Sequence, residues 1–414
     1  MSSENILQNV ATYQMGMLAA LQNYGCFLNT ANTKFKDFQN LTANRGTTVT
    51  FDLPPRATTV NSLIASFQGA EQRVHSLTTD QEISSSMEFT AQQFIYNVED
   101  YMDKFGMGMA SEIGAQIESN IAQVAETAPY RFYGNGVDQI DSYFKLSDAL
   151  ARFRTFGAPR NATKGYLLDT AIPSIINTGL NQFALDRNNE DAQYWQVGSY
   201  DMCEWFRSNF LVRHVAGTEG QSGSTLTVVS VVKNADDAVV SITFSGTDSA
   251  LDVNSVKAND SFEFQKGVGS LPDPNFLTFV GHQPTSLSVQ FRATADAESD
   301  GANQVTVSID PPLKASSGKN QNITTEILAG MQVKVLPTHR CGLLTAGNPL
   351  FVAMPRLNDQ APFPTYAEYD EDTGVSVRLT YGARLGQNST GLILDGIWGK
   401  TLVPEYSMKL VFVD

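Results

Sequence analysis

Four histidines, His75, His214, His282 and His339, are the side chains of this 414-residue chain best able to move a proton or hold a metal near neutral pH. None has a second histidine at the spacing that puts two ligands on one helix face, so each is expected to be structural or solvated. A serine nucleophile would need a GxSxG elbow, and GQSGS around Ser222 has the wrong spacing. GNG at Gly134 and KGVGS at Gly267 lack a third glycine and a following helix, and no GxxxxGK run followed by Ser or Thr is present to cradle phosphate. DAESDGAN puts Asp296, Glu298, Asp300 and Gly301 where a calcium loop has three ligands and its turning glycine. Position twelve of that loop would be Val307, so a solvated hairpin turn is expected instead. EYDED, Glu368 to Asp372, reads as an acidic turn near Gly374. Cys26, Cys203 and Cys341 form neither a CxxC pair nor an even set, which predicts unpaired thiols. The chemistry expected of this chain is therefore none: no enzyme, no cofactor, no metal.

The elements around these residues are more informative. Ile6, Val10, Tyr13, Met17, Leu21 and Tyr24 recur at three and four, predicting an amphipathic helix in an N-terminal arm over 1–43. From 44 to 90 the chain is polar and strand-like, interrupted by Pro54 and Pro55, and predicts a two-stranded extended loop. Val98 to Val124 keeps the helical period for over seven turns, a rod about 40 Å long at about 1.5 Å per residue. A second helix through Leu146, Ala149, Leu150 and Phe153 should stop at Gly157, GYLLD should be a buried strand, and Pro173 should open a further helix.

After His214 the composition turns to Ser, Thr, Val, Asp and Gly. TLTVVSVV, AVVSITF, SFEFQ, FLTFV, SLSVQFRA and QVTVSID alternate as short strands and predict a small inserted β module over 217–315. QVKVLP, PLFVAM, SVRLTYGA, GLILDGIWG and YSMKLVFV follow with no helices between them. They are expected to complete the sheets of a discontinuous first domain, 91–216 together with 316–414.

Composition narrows the class further. The chain has 42% hydrophobic and 17% charged residues, which suits a packed α+β protein, and its formal charge of −15 disfavours direct nucleic-acid recognition. No membrane-spanning apolar run and no signal-like N-terminus occur, which predicts a soluble chain made in the cytosol.

The order of arm, extended loop TTVTFDL to SMEFT, long helix Val98 to Val124, mixed domain, β insertion and strand-rich C-terminus resembles the major capsid proteins of tailed bacteriophages, the Hong Kong 97 fold. GLILDGIWGKTLVPEYSMKLVFV is similar to that family's closing hairpin. VKANDSFEFQKGV, SLSVQFRA and QVTVSIDPPL resemble the inserted domain of the short-tailed Salmonella-type phage coat branch, although Asn259 stands where that branch has glycine. The resemblance implies an N-arm, an E-loop, a P domain with a spine helix, an A domain and an inserted β-barrel. It also implies a virion shell of pentamers and hexamers, built in the bacterial cytoplasm with scaffolding, portal and decoration proteins, that encloses double-stranded DNA without reading its sequence. No lysine lies between Lys36 and Lys104, so the loop-lysine isopeptide crosslink of one branch is expected to be absent.

On that reading the residues expected to touch neighbouring subunits are Ile6, Val10, Tyr13 and Met17 of the arm and Arg45, Arg56, Glu71 and Arg73 of the extended loop, with Asp80, Glu82 and Glu88 beside them. The alternatives are an encapsulin-like nanocompartment shell, which the insertion and acidic loops argue against, and a β-rich binding or adhesin module, which the missing signal peptide argues against. A hydrolase with an unrecognised site lacks the nucleophile and histidine constellation it would need.

Overall fold

The computed structural model describes residues 26–33, 48–56, 72–90, 107–159, 161–177, 196–355, 357, 365–369, 376–383 and 389–414. In chain order the elements begin with α1 (Cys26–Thr30), β1 (Thr48–Leu53), β2 (Arg73–Thr90), α2 (Met107–Ala122), α3 (Val124–Thr127), β3 (Phe132–Tyr133), α4 (Tyr143–Thr155), β4 (Thr163–Leu168) and α5 (Ile172–Asn177). They continue with β5 (Gln196–Tyr200), β6 (Cys203–Ser208), β7 (Arg213–His214), α6 (Thr218–Ser222), β8 (Thr225–Lys233), β9 (Val239–Ser245), β10 (Ser261–Phe264), β11 (Asn275–Leu277) and β12 (Pro284–Ser288). The last are β13 (Gln290–Ala293), β14 (Gln304–Leu313), β15 (Gln332–Val335), β16 (His339–Thr345), β17 (Leu350–Ala353), β18 (Thr365–Tyr369), β19 (Ser376–Ala383), β20 (Ser389–Leu402) and β21 (Ser407–Val413).

The chain divides into two discontinuous units. One gathers Met1–Asp52, Val74–Val124 and Pro349–Leu402; the other gathers Leu53–Arg73, Ala125–Asn348 and Val403–Asp414. The first unit holds a six-stranded sheet in the order β1-β2-β20-β19-β18, with β17 also paired to β20. The two strands expected in the extended loop are thus neighbours in one sheet, and β2 runs antiparallel to β20 from Thr79 to Thr90. On α2, Met109, Ile113, Ile117 and Ile121 are buried, the apolar stripe read from the sequence. Its predicted beginning at 98–106 lies outside the described residues, as does the N-terminal helix from Ile6 to Tyr24.

The second unit contains a seven-stranded sheet in the order β3-β21-β16-β4-β6-β5, with β7 paired to β16. β21 lies between β3 and β16, and Ser407 through Phe412 are all buried, as a strand covered on both faces requires. α4 ends at Thr155, and Gly157 takes φ +90, a left-handed position that its missing β-carbon permits.

The inserted module is a closed barrel, β10-β13-β14-β9-β8-β15. Phe244, Phe262 and Phe291 are fully buried inside it and lie nearly parallel, Phe262 and Phe291 with ring centroids 5.0 Å apart. Asn259 has φ +69, so the turn before β10 keeps its left-handed corner with an asparagine in place of glycine.

Two expectations about the C-terminal strands need correction. QVKV does not complete a sheet of the first domain. As β15 it closes the barrel between β8 and β10, because Val333 and Val335 alternate into the barrel core and only a sixth strand removes the open edges of the other five. GLILDGIWG and YSMKLVFV do not form a hairpin with each other. A 3₁₀ turn at Pro404–Tyr406 separates β20 from β21, and each enters a different sheet. Among the described residues no helix is long and apolar enough to cross a membrane.

Candidate functional site

The most unusual surface is the ribbon of β1 and β2. β2 has 18 residues where strands commonly have about five or six, and at about 3.3 Å per residue it spans about 60 Å. Period-2 geometry sends Val74, Ser76, Thr78, Asp80, Glu82, Ser84, Ser86 and Glu88 to one face, and all of them are exposed. On the other face only Leu77 is buried between Arg73 and Met87; Ile83 and Met87 are half-covered. β1 repeats the pattern with no buried residue. Beneath the ribbon Leu77 and Ala353 form a small apolar cluster with Val49, Phe51 and Phe351, and His75 Nε2 meets the Thr401 hydroxyl at 2.8 Å. His75 of β2 is thereby fastened to Thr401 of β20.

Arg56 and Arg73, anticipated as contacts to a neighbour, share one oxygen of Glu405 within the chain. The Arg56 Nη2 to Glu405 Oε1 distance is 2.5 Å, and Arg73 Nη2 bonds the same Oε1. Arg131 donates to the Glu405 backbone carbonyl and lies 4.6 Å from the Phe156 ring centroid and 4.7 Å from that of Phe279. It is 1% exposed, its Nε and Nη1 find no hydrogen-bond acceptor, and burial pulls its guanidinium pKa below the ordinary value. Glu405 lies more than 300 residues from Arg56 and Arg73, and 274 from Arg131, so no local spacing links them. Only the residue types, a carboxylate and an arginine in otherwise apolar stretches, hinted at them.

Arg45, Glu71, Ile6, Val10, Tyr13 and Met17 lie outside the described residues. Asp80, Glu82 and Glu88 stand on the exposed face of β2; Asp80 accepts from Gln81 Nε2 at 2.9 Å and Glu88 from the Ser389 hydroxyl at 2.5 Å. Where the arm meets its unit, α1 is held by Glu118 of α2, whose carboxylate accepts the backbone N–H of Phe27 at 2.6 Å and of Leu28 at 3.2 Å. Burial pushes the Glu118 pKa up to about 7 against those hydrogen bonds. Glu118 and Phe27 lie 91 residues apart, so no local pattern points to this contact.

The search for chemistry ends in structure. Ser222 hydrogen-bonds the Glu219 carbonyl and the Ser224 hydroxyl, with no base among its described partners. Asp300 accepts the N–H groups of Ala302 and Gln304, and Asp296 that of Ala258, so these carboxylates shape turns. Glu368 and Tyr369 belong to β18 rather than to an acidic turn, because Glu368 pairs with Val377 of β19. The three cysteines are buried and none is in a disulfide among the described residues, and burial raises the thiol pKa of Cys341 to about 11. Among the described residues no cluster of three potential metal ligands occurs.

One buried polar group does stand out. β7 and β16 pair His214 with His339, and the two rings lie 5.3 Å apart. His214 Nδ1 meets Glu126 Oε1 at 2.8 Å, and Nε2 meets Asp260 Oδ1 at 2.8 Å. Asp260 also accepts the N–H of Lys257 at 2.7 Å and of Gly217 at 3.1 Å. His339 donates Nδ1–H to the Pro337 carbonyl; burial, with the nearby Lys409 charge, lowers its pKa to about 3 and keeps it neutral.

No protein-family model matches the chain, and no curated protein is similar to it in sequence. Among solved structures it is similar to a chain from one described as Mycobacterium phage Che8, at 10% identity over 93% of this chain and 90% of that chain, with a TM-score of 0.45. It is likewise similar to the capsid of Ralstonia phage GP4, at 8% identity over 93% and 88% of the two chains with a TM-score of 0.45. A virus-like particle from Pyrococcus furiosus is similar at 6% identity over 95% of each chain, with a TM-score of 0.39.

Proposed function

We propose that this chain is a structural, non-enzymatic shell subunit: a major capsid protein that assembles with its own copies into the icosahedral head of a tailed phage around double-stranded DNA. The observation that carries this reading is the β1/β2 ribbon, which exposes one face entirely and leaves the other half-covered over 18 residues of β2. A strand of that length with so little of its own core gains stability only when other surfaces cover it. An edge strand such as β1 is also a template for a neighbouring chain.

In this reading 1–43 is the N-arm, 44–90 the E-loop, and 91–216 the P domain with its spine helix and the first part of the A domain. The insertion begins at 217, and the barrel strand β15 extends it from 315 to 335; the remaining strands to 414 complete the A and P domains. Arg45, Arg56, Glu71 and Arg73, with the arm residues Ile6, Val10, Tyr13 and Met17, are the candidate contacts between subunits in pentamers and hexamers. Scaffolding, portal and decoration proteins are the partners, assembly takes place in the host cytoplasm, and the acidic chain encloses DNA without sequence-specific contacts. Negative-stain microscopy of the purified full chain, alone and co-expressed with its scaffolding protein, tests the proposal. Closed shells are expected; monomers at high concentration under both conditions would overturn it.

A further inference from the structure

His214 is an imidazole with a carboxylate at each ring nitrogen. Asp260, on the Nε2 side, is fully buried and accepts two backbone N–H groups, and a ring N–H from His214 completes its set of donors. Glu126, on the Nδ1 side, keeps 20% of its side chain exposed. A neutral imidazole has one N–H and can satisfy only one of these carboxylates; the imidazolium satisfies both. The proton that leaves is the one on Nδ1, because it is held by Glu126, the carboxylate that keeps part of its side chain in solvent, and an unprotonated nitrogen then faces Glu126.

The surrounding groups fix the direction of this response. Around His214 stand Glu126 of α3, Asp260 and Ser261 at the head of barrel strand β10, His339 and Cys341 of β16, and Lys409 of β21. Lys409 is 0% exposed, and its ammonium reaches the Ser261 hydroxyl at 3.3 Å. Burial of His214 itself and the nearby charge of Lys409 both oppose a proton on His214. The two carboxylate hydrogen bonds outweigh burial and raise the His214 pKa above its ordinary value. Neutral His339 adds no competing charge.

We propose that His214 is a proton-gated latch between α3 and the barrel, closed while both ring nitrogens carry hydrogen and opened at Glu126 when Nδ1 gives up its proton to solvent. The Nε2–H bond to Asp260 persists in the open form, so the barrel keeps its anchor and α3 is what is released. The shell reading is not needed for this inference.

The test uses the full chain with ¹⁵N-labelled histidine. Ring-nitrogen NMR should show both His214 nitrogens protonated at pH 6, with a titration midpoint above the ordinary value of 6.5. Hydrogen-exchange mass spectrometry of the segment over 124–127, corrected for intrinsic rate, should show protection falling as pH rises above 6.5, with a slope approaching tenfold per pH unit. In Glu126→Gln the amide can donate to an unprotonated Nδ1, so the contact survives and the protection becomes independent of pH. A neutral His214 at pH 6, or the same pH dependence in the Glu126→Gln variant, would overturn the proposal.

Discussion

Gly399 of β20 approaches the Thr78 carbonyl of β2 so closely that a β-carbon on Gly399 would lie inside van der Waals contact with the Thr78 backbone. The neighbouring pair Thr79 and Gly399 are partners in the β2/β20 ladder, whose register shifts between Thr79 and Gln81. A Gly399→Ala change must therefore push β2 away from β20, with an expected cost of about 1–3 kcal/mol. Thermal unfolding should report the loss, and hydrogen exchange should localise it to 76–82. An unchanged midpoint would mean the ladder accommodates the methyl group by sliding.

Arg56→Glu and Arg73→Glu each place a second carboxylate against Glu405. The pairs keep only 16–23% of their side chains exposed, so solvent screens the repulsion little and the isolated subunit should lose on the order of 3 kcal/mol. Shell yield should fall more than subunit stability does, because both arginines are proposed contacts between subunits. Sedimentation of assembled material beside the subunit's thermal midpoint separates the two effects, and unchanged shell yield would remove both arginines from assembly.

Glu118 makes the docking of α1 depend on pH. Its pKa in the folded chain, about 7, lies above the ordinary 4.5, so the folded state holds a proton more tightly than the unfolded one. Its contribution is therefore greatest below pH 4.5 and is lost as pH rises toward 7. Glu118→Gln should remove that slope between pH 5 and 6.5. It should also cost about 1–3 kcal/mol, because one of the two backbone N–H groups loses its acceptor. Differential scanning calorimetry at several pH values checks both outcomes.

The barrel closes only with β15, so the segment 217–315 alone should not fold cooperatively whereas 217–336 should. Without Gln332–Val335, β8 and β10 both become open edges, and Val333 and Val335 leave the core. In the longer segment Phe262→Ala should cost about 3–5 kcal/mol, since it removes a fully buried ring that packs against both Phe244 and Phe291. Urea denaturation followed by circular dichroism distinguishes a cooperative transition from a gradual one.

Much of the architecture could be read along the chain because it is written in periodicity. The stripe Met109, Ile113, Ile117, Ile121 and the alternation Val305, Val307, Ile309 each announce an element whose buried face the structure then shows. Asp300 in its turn was legible for the same local reason. Strand destination was not: β15 and β21 look alike as apolar runs, yet one closes the barrel and the other lies inside a seven-stranded sheet.

What the amino-acid sequence determined by itself was the class of fold, α+β with an acidic composition, and the order of its elements along the chain. Only the tertiary structure decided which distant residues meet. Glu405 joins Arg56, Arg73 and Arg131, Glu118 holds Phe27 and Leu28, and Glu126 and Asp260 flank His214. The physical reason is that secondary structure follows from interactions a few residues apart. The pairing of buried charges depends instead on long-range packing, which a one-dimensional pattern of residue types does not encode.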